Sequence, residues 1–138
     1  MGTRFLVVFA GVMAAALAGI SLTPISSPSR EQVFEIPQGT WARRMAGEKI
    51  ETLPDHIYLT AGVRDILVLK NHDTVPQIFG PTLMMPGQSF SLPFERPAEY
   101  QFACTAHASG QMTIVVDPFP ATPWARFSWR TRNLIRRL

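Results

Sequence analysis

Residues 99–112, EYQFACTAHASGQM, are the stretch that decides the fold. Tyr100, Phe102 and Cys104 alternate with residues of the other face, so the first half predicts a strand with one buried side. His107 follows Cys104 after two intervening residues, at the point where the strand pattern stops. The stretch therefore predicts a strand that ends in a turn carrying a thiol and an imidazole.

Cys104 is the only cysteine of the chain, so it cannot form an intramolecular disulfide. It is either an inert buried residue or a residue bound to something else. A thiolate with imidazoles and a weak thioether further out is the donor set of a copper electron-transfer site. Soft sulfur favours copper over calcium or magnesium, so Cys104 and His107 are candidate copper ligands.

Short strand patterns continue on both sides of this stretch. Residues 57–60 and 63–70 flank a glycine turn, which predicts a hairpin leading into a central strand. Residues 90–94 alternate in the same way, and a last strand is predicted at 112–116. Residues 39–54 show no clear period and fit either a surface loop or a short helix. The pattern predicts an all-β fold, a small antiparallel sandwich at residues 33–117.

Over about residues 56–117 the sequence resembles the cupredoxin (type 1 blue-copper) family. The family motif is Tyr-x-Phe/Tyr-x-Cys-x-x-His followed by a methionine, and Tyr100, Phe102, Cys104 and His107 stand in that register. Residues 68–76 look like the strand and asparagine-containing loop that precede the first copper histidine. The resemblance implies a Greek-key β-sandwich, a bound copper ion, and Cys104 and His107 as its ligands.

The remaining ligands are open. Gln77 stands where the family has its first copper histidine, so the third ligand is Gln77 as a weak oxygen donor, His72 five residues earlier, or absent. Met112, eight residues after Cys104, has the spacing of an axial methionine. If the closing strand is aligned instead, Gly110 takes the axial position and Met112 belongs to the core.

The two ends of the chain differ from its middle. Arg4 precedes 18 uncharged residues, 5–22, which predict a helical signal peptide or transmembrane anchor over residues 1–22, followed by a linker at 23–32. We therefore expect an extracytoplasmic domain. Residues 118–138 hold five arginines and no acids, and their apolar stripe predicts a short basic amphipathic helix. Its expected partner is the membrane lipid surface, and the alternative is packing on its own domain.

The net charge of +3 excludes little by itself, because the basic residues concentrate at the ends. Residues 31–117 carry six basic and ten acidic side chains, which argues against nucleic-acid binding by the domain. No acyl-transfer triad or phosphate-binding glycine loop is present, so we expect neither an enzyme nor a small-molecule substrate. The sequence favours a copper protein that transfers single electrons or handles copper with a protein partner. The alternative is a copper-free binding or assembly module.

Overall fold

The computed structural model describes Val8, residues 11–16, Gly19 and residues 22–136. Two compact units divide the chain. One unit is Ser27–Phe119, which contains all the strands described below, and the other combines the two ends of the chain. Each unit is described by itself.

The unit Ser27–Phe119, in which every residue is described, has eight strands and one short helix. The strands are β1 (Glu31–Ile36), β2 (His56–Thr60), β3 (Ile66–Asn71), β4 (Gln77–Phe79), β5 (Thr82–Met84), β6 (Ser89–Pro93), β7 (Ala98–Ala103) and β8 (Gln111–Asp117). Helix α1 spans Thr40–Met45, which answers the question left open for residues 39–54. One sheet has the order β1-β3-β6, the second has the order β2-β8-β7, and β4 and β5 form a small hairpin.

The expectation of a purely antiparallel sandwich is wrong, because each three-stranded sheet is mixed. Strands β1 and β3 are parallel while β3 and β6 are antiparallel. In the second sheet β2 and β8 are parallel, and β8 and β7 are antiparallel. The central position of β3 in its sheet agrees with its continuous apolar run, which is typical of a strand that is covered on both faces.

The predicted hairpin between residues 57–60 and 63–70 is limited to one antiparallel bridge between Thr60 and Arg64, since β2 and β3 belong to different sheets. A buried carboxylate redirects the chain between them. Asp65 accepts a hydrogen bond from the backbone N–H of Gly62 at 2.9 Å and forms a two-pronged ion pair with Arg30. The backbone N–H groups of Asp65 and Ile66 donate to the carbonyl oxygen of Arg30. These contacts start β3 beside β1 instead of beside β2.

One hydrophobic core lies between the buried faces of the two sheets. Its side chains come from both sheets and from the β4–β5 hairpin, and its members include Leu67, Leu69, Ile57, Leu59, Ile114, Met84, Phe79 and Cys104. Complete burial of such an aliphatic side chain stabilises the fold by roughly 1.5–3 kcal/mol. The cysteine predicted to end a buried strand is thus part of the core.

The unit formed by the two ends contains the predicted C-terminal helix, which is confirmed as α2 (Pro123–Ile135). Thr122 caps it, because its hydroxyl accepts a hydrogen bond from the N–H of Ala125 at 3.1 Å, and Pro123 occupies the first turn. The predicted helix over residues 1–22 lies mostly outside the described residues. Among the residues that are described, no helix is both long and apolar enough to cross a bilayer.

Candidate metal centre

Strand β4 holds the segment around Cys104 in place. Phe79 forms a bridge with Cys104, and the N–H of Gly80 donates to the carbonyl of Ala103 at 2.7 Å. Gly80 has a φ of +55°, and a Cβ atom there would stand 2.8 Å from the ring of Phe102. Only glycine therefore allows the backbone of β4 to lie this close to the strand that leads into the cysteine.

The loop from Cys104 to Gly110 is a compact hydrogen-bonded turn. The N–H of Cys104 donates to the carbonyl of Gly110 at 2.9 Å. Within the turn, the N–H of His107 donates to the carbonyl of Cys104 at 3.2 Å, and the N–H of Gly110 donates to the carbonyl of His107 at 3.1 Å. Backbone hydrogen bonds therefore hold Cys104 and His107 in one turn.

Burial has the largest effect on the pKa of the Cys104 thiol, because only 2% of the surface of Cys104 is exposed. Removal from water raises the pKa of the thiol, because the charged thiolate loses its hydration. The backbone N–H groups of Ala106 and His107 and the positive charge of Arg44 act in the opposite direction and favour the thiolate. These groups offset part of the cost of the charged form, and a bound cation would add the remaining compensation.

Arg44 of α1 clamps this loop from outside. Its guanidinium donates to the carbonyl oxygens of both Thr105 and Ala106. Asp73 holds the start of α1 in turn, since its carboxylate accepts the N–H groups of Gly39 at 2.9 Å and Trp41 at 2.8 Å. Sequence reasoning missed Arg44, because residues 39–54 have no period that would point one arginine at a loop 61 residues away.

His107 is buried, and both of its ring nitrogens face protein groups. Nδ1 lies 2.8 Å from the hydroxyl of Ser109 and accepts the N–H of that residue at 3.2 Å. Nε2 lies 3.0 Å from a carboxylate oxygen of Asp55. That distance allows an ion pair, but the ring N–H is not directed at the oxygen, so Nε2 makes no aligned hydrogen bond. Nε2 of His107 is thus a buried nitrogen without a hydrogen bond.

Gln77 is brought up to this loop by β4. Its side chain is fully buried, and its Oε1 atom accepts the hydroxyl of Thr105 at 2.8 Å. The same hydroxyl accepts the N–H of Ile78 at 2.8 Å. The amide oxygen that could act as a weak copper ligand is therefore already hydrogen-bonded to the residue that follows Cys104.

His72 and Met112, the other two predicted ligands, lie in different surroundings. His72 is exposed, and its Nε2 atom lies 3.7 Å from the carboxylate of Glu35. Met112 lies inside β8 opposite Phe102 and is buried in the same core cluster as Cys104. Gly110 occupies the turn with a φ of +75°. The roles of His72 and Met112 as copper ligands stay predictions.

The donor groups fit copper in part. Within residues 22–136 and the described positions before them, no three His, Cys, Asp or Glu side chains come together to hold a metal ion. Cys104 and His107 offer a soft sulfur and an imidazole from one turn, and thiolate ligands select Cu(I). The residues present fit a Cu(I) ion of low coordination, and they do not fit a trigonal Cu(II) site with two imidazoles.

An aromatic cavity of about 460 Å³ lies beside β6 and β7. Its walls include Phe79, Phe94 and Phe102, and the charged groups among its lining residues are Glu95 and Arg96. The rings of Phe79 and Phe102 stack with their centroids 5.0 Å apart. The cavity is thus continuous with the aromatic packing that supports Cys104, and none of the predicted site residues lines it.

Comparisons with known proteins give distant similarities only. No family model and no curated protein matches the chain. Among solved structures, a purple cupredoxin from Nitrosopumilus maritimus is 17% identical, covering 62% of this chain and 98% of that chain, with a TM-score of 0.46. Amicyanin from Paracoccus versutus is 17% identical, covering 69% and 92%, with a TM-score of 0.45. A Cu(I) form of an amicyanin mutant is 16% identical, covering 66% and 86%, with a TM-score of 0.45.

These similar structures are cupredoxins, the family that the motif around Cys104 resembles. At this level of identity and TM-score they do not establish what the chain binds. The site itself, with its buried thiol and adjacent imidazole, has to carry any functional conclusion.

Proposed function

We propose that this protein is a cupredoxin-like copper-handling protein that binds Cu(I) through Cys104 and His107. The observation that carries the proposal is the hydrogen-bonded turn that combines a buried thiol and a buried imidazole. When bound, copper would supply a soft cation that can also change its charge by one electron. The proposal includes the finer expectation of single-electron transfer, with a redox or copper-receiving protein as partner.

Three residues of the site have different proposed roles in binding such an ion. Cys104 supplies the main ligand; burial raises the pKa of its thiol, and the nearby N–H groups of Ala106 and His107 offset part of that cost. His107 supplies the second donor through whichever ring nitrogen is released from its present neighbours. Arg44 acts as a positioning residue, since it fixes the two carbonyls between these ligands.

A copper-free binding or assembly module is the second candidate, and one specific observation favours it. The Nδ1 atom of His107 is engaged by Ser109, and the amide oxygen of Gln77 is engaged by Thr105. These two donor atoms are therefore satisfied by protein groups, while Nε2 of His107 is not. A domain that has lost its metal would show this arrangement, in which hydrogen bonds replace the bonds to copper.

The cellular setting is part of the same proposal. The uncharged run at residues 5–22 supports a helical signal or anchor, and export would place the domain on the extracytoplasmic side of the membrane. As part of the cupredoxin-like proposal, we also propose that the strands are connected as a Greek key. We further propose that the protein is not an enzyme and that neither nucleic acid nor a small-molecule substrate binds to the domain.

Competition of the full chain against a coloured Cu(I) chelator tests the proposal. We expect one Cu(I) ion per chain, loss of binding in Cys104→Ser, and weaker binding in His107→Ala. The matched control is His56→Ala, because His56 is exposed and not placed at the site. Circular dichroism shows whether each variant is folded. If the folded wild-type chain does not compete for Cu(I), the copper proposal is wrong and the copper-free module stands.

A further inference from the structure

Helix α2 exposes large apolar side chains along one side. Trp124, Leu134 and Ile135 are 76%, 65% and 64% exposed. At 100° per residue the three lie within one stripe, and the ring of Phe127 stacks on Trp124 at 5.7 Å. Trp129 lies outside this stripe and is half-buried. The helix therefore presents an apolar side to the surroundings, and none of its residues is fully buried.

The charges around the stripe are all positive. Residues 118–138 contain five arginines and no acidic residue. Arg130 reaches back to the hydroxyl of Thr23 at 2.6 Å, and Arg126 donates to the carbonyl of Pro120 at 3.4 Å. Arg132 and Arg136, in the last turns, are exposed. An exposed apolar stripe with arginines on both sides is complementary to a partner surface whose outer layer is negatively charged and whose next layer is apolar.

The helix is already formed at its N-terminal end. Thr122 caps it and Pro123 stands in the first turn, so Trp124 is presented at a fixed position. Tryptophan at the end of such a helix suits the headgroup region, because its ring has an apolar body and a polar N–H group. Long arginine side chains can keep their charges among phosphates while their stems lie along the apolar boundary.

We propose that α2 lies in the plane of an anionic phospholipid bilayer, with Trp124, Leu134 and Ile135 at the acyl boundary and the arginines at the lipid phosphates. This site does not depend on copper, so its failure and the failure of the copper proposal are separate results. An acidic protein surface is the competing occupant. The lipid is favoured because the apolar residues form a continuous stripe next to the charges, which matches the layers of a bilayer interface.

The test places the full chain in phospholipid nanodiscs and reads the environment of Trp124. Trp41→Phe and Trp129→Phe leave Trp124 as the single tryptophan. We expect a blue shift of its emission in nanodiscs of phosphatidylglycerol and phosphatidylcholine compared with phosphatidylcholine alone. Brominated acyl chains should quench it. Because the remainder of the chain is the same in every sample, the signal reports the position of α2 rather than general membrane recruitment.

A double variant in this background, Leu134→Ser with Ile135→Ser, should lose the shift and the quenching. The matched control is Ile78→Ser with Leu83→Ser, an exposed apolar pair on the β4–β5 hairpin, which should keep both signals. Equal and unquenched Trp124 emission in the two lipid compositions would overturn the proposal. A shift with polyglutamate and none with the anionic nanodiscs would also overturn it, in favour of a protein partner.

Discussion

The loop after β3 leads into β4, which contacts the loop after β7 at Thr105, yet the two loops are built in different ways. The first, residues 72–76, is organised by buried polar side chains, while the second, residues 104–110, is organised by its own backbone and by Arg44. The first loop leads to Gln77, and the second carries Cys104 and His107. The groups that can bind a metal are therefore in the loop that its own backbone and Arg44 organise.

Asn71 shows why the first loop keeps its shape without a metal ligand. Its side-chain NH₂ group donates to the carbonyls of Val75 at 3.0 Å and Met84 at 3.1 Å. Its Oδ1 atom accepts the N–H of Asp73 at 3.0 Å. This network spans the positions before and after the loop, so a glutamine can occupy position 77 without loss of the local fold.

The largest effect is expected when the first loop is given the donor that it lacks. Gln77→His would place an imidazole at a fully buried position beside the Cys104 loop. We expect Cu(II) affinity to rise by at least roughly a hundredfold, since even supporting partners of metal ligands change affinity by about 10- to 100-fold. The measurement is a Cu(II) titration followed by visible absorption, in which an intense thiolate-to-copper band should appear.

The control for this variant is Gln77→His combined with Cys104→Ser, which should lack the band. If Gln77→His binds Cu(II) no better than the wild-type chain, the two loops do not face a common metal position. The inference that position 77 could complete a metal site with the Cys104 loop would then be wrong.

A smaller effect is expected when the network of the first loop is removed. Asn71→Ala would leave the carbonyls of Val75 and Met84 and the N–H of Asp73 without their partner in a buried region. We expect the free energy of unfolding to fall by about 2 kcal/mol, as measured by urea denaturation. His72→Ala is the matched control, because His72 is exposed on the same loop and its loss should change stability by less than about 0.5 kcal/mol. Equal losses for the two variants would contradict the role given to Asn71.

The smallest effect concerns pH and the turn that separates the two sheets. Hydrogen bonding from Arg30 lowers the pKa of Asp65 below its ordinary value. The ionised carboxylate therefore stabilises the fold above the pKa of the unfolded chain, about 3.9, and this contribution is lost as the pH falls through the lower folded value. Urea denaturation between neutral pH and pH ~2 should show a loss at the acid end that is smaller in Asp65→Asn. An identical pH profile for the variant would show that the Arg30–Asp65 pair does not stabilise the turn.

These contrasts also explain how far the sequence could predict the structure. Alternation predicted the strand character of β6 and β7, because a strand pattern is local. The choice of partner strand is not local. The ion pair between Asp65 and Arg30, 35 residues apart, sends β3 to β1, so the expected hairpin with β2 could not be corrected from the pattern alone.

The residues of the candidate site likewise divide into those that a local pattern predicts and those that distant segments supply. Cys104 and His107 were predictable because the motif that contains them is continuous in sequence. Arg44 lies in α1 and Asp55 directly precedes β2, and no periodic pattern there indicates an orientation toward the loop. The hydrogen bond that occupies Gln77 could not be predicted either, since it requires β4 to run beside Thr105.

The clamp formed by Arg44 has a consequence for how the chain folds. Its carbonyl partners are 61 and 62 residues away, and the parallel pairings of β1 with β3 and of β2 with β8 also join distant segments. Contacts of long sequence separation form late and slowly. The Cys104 thiol, which lies in the core formed by these segments, is therefore open to oxidants until they have come together. The species most sensitive to oxidation is then the incompletely folded chain and not the folded protein.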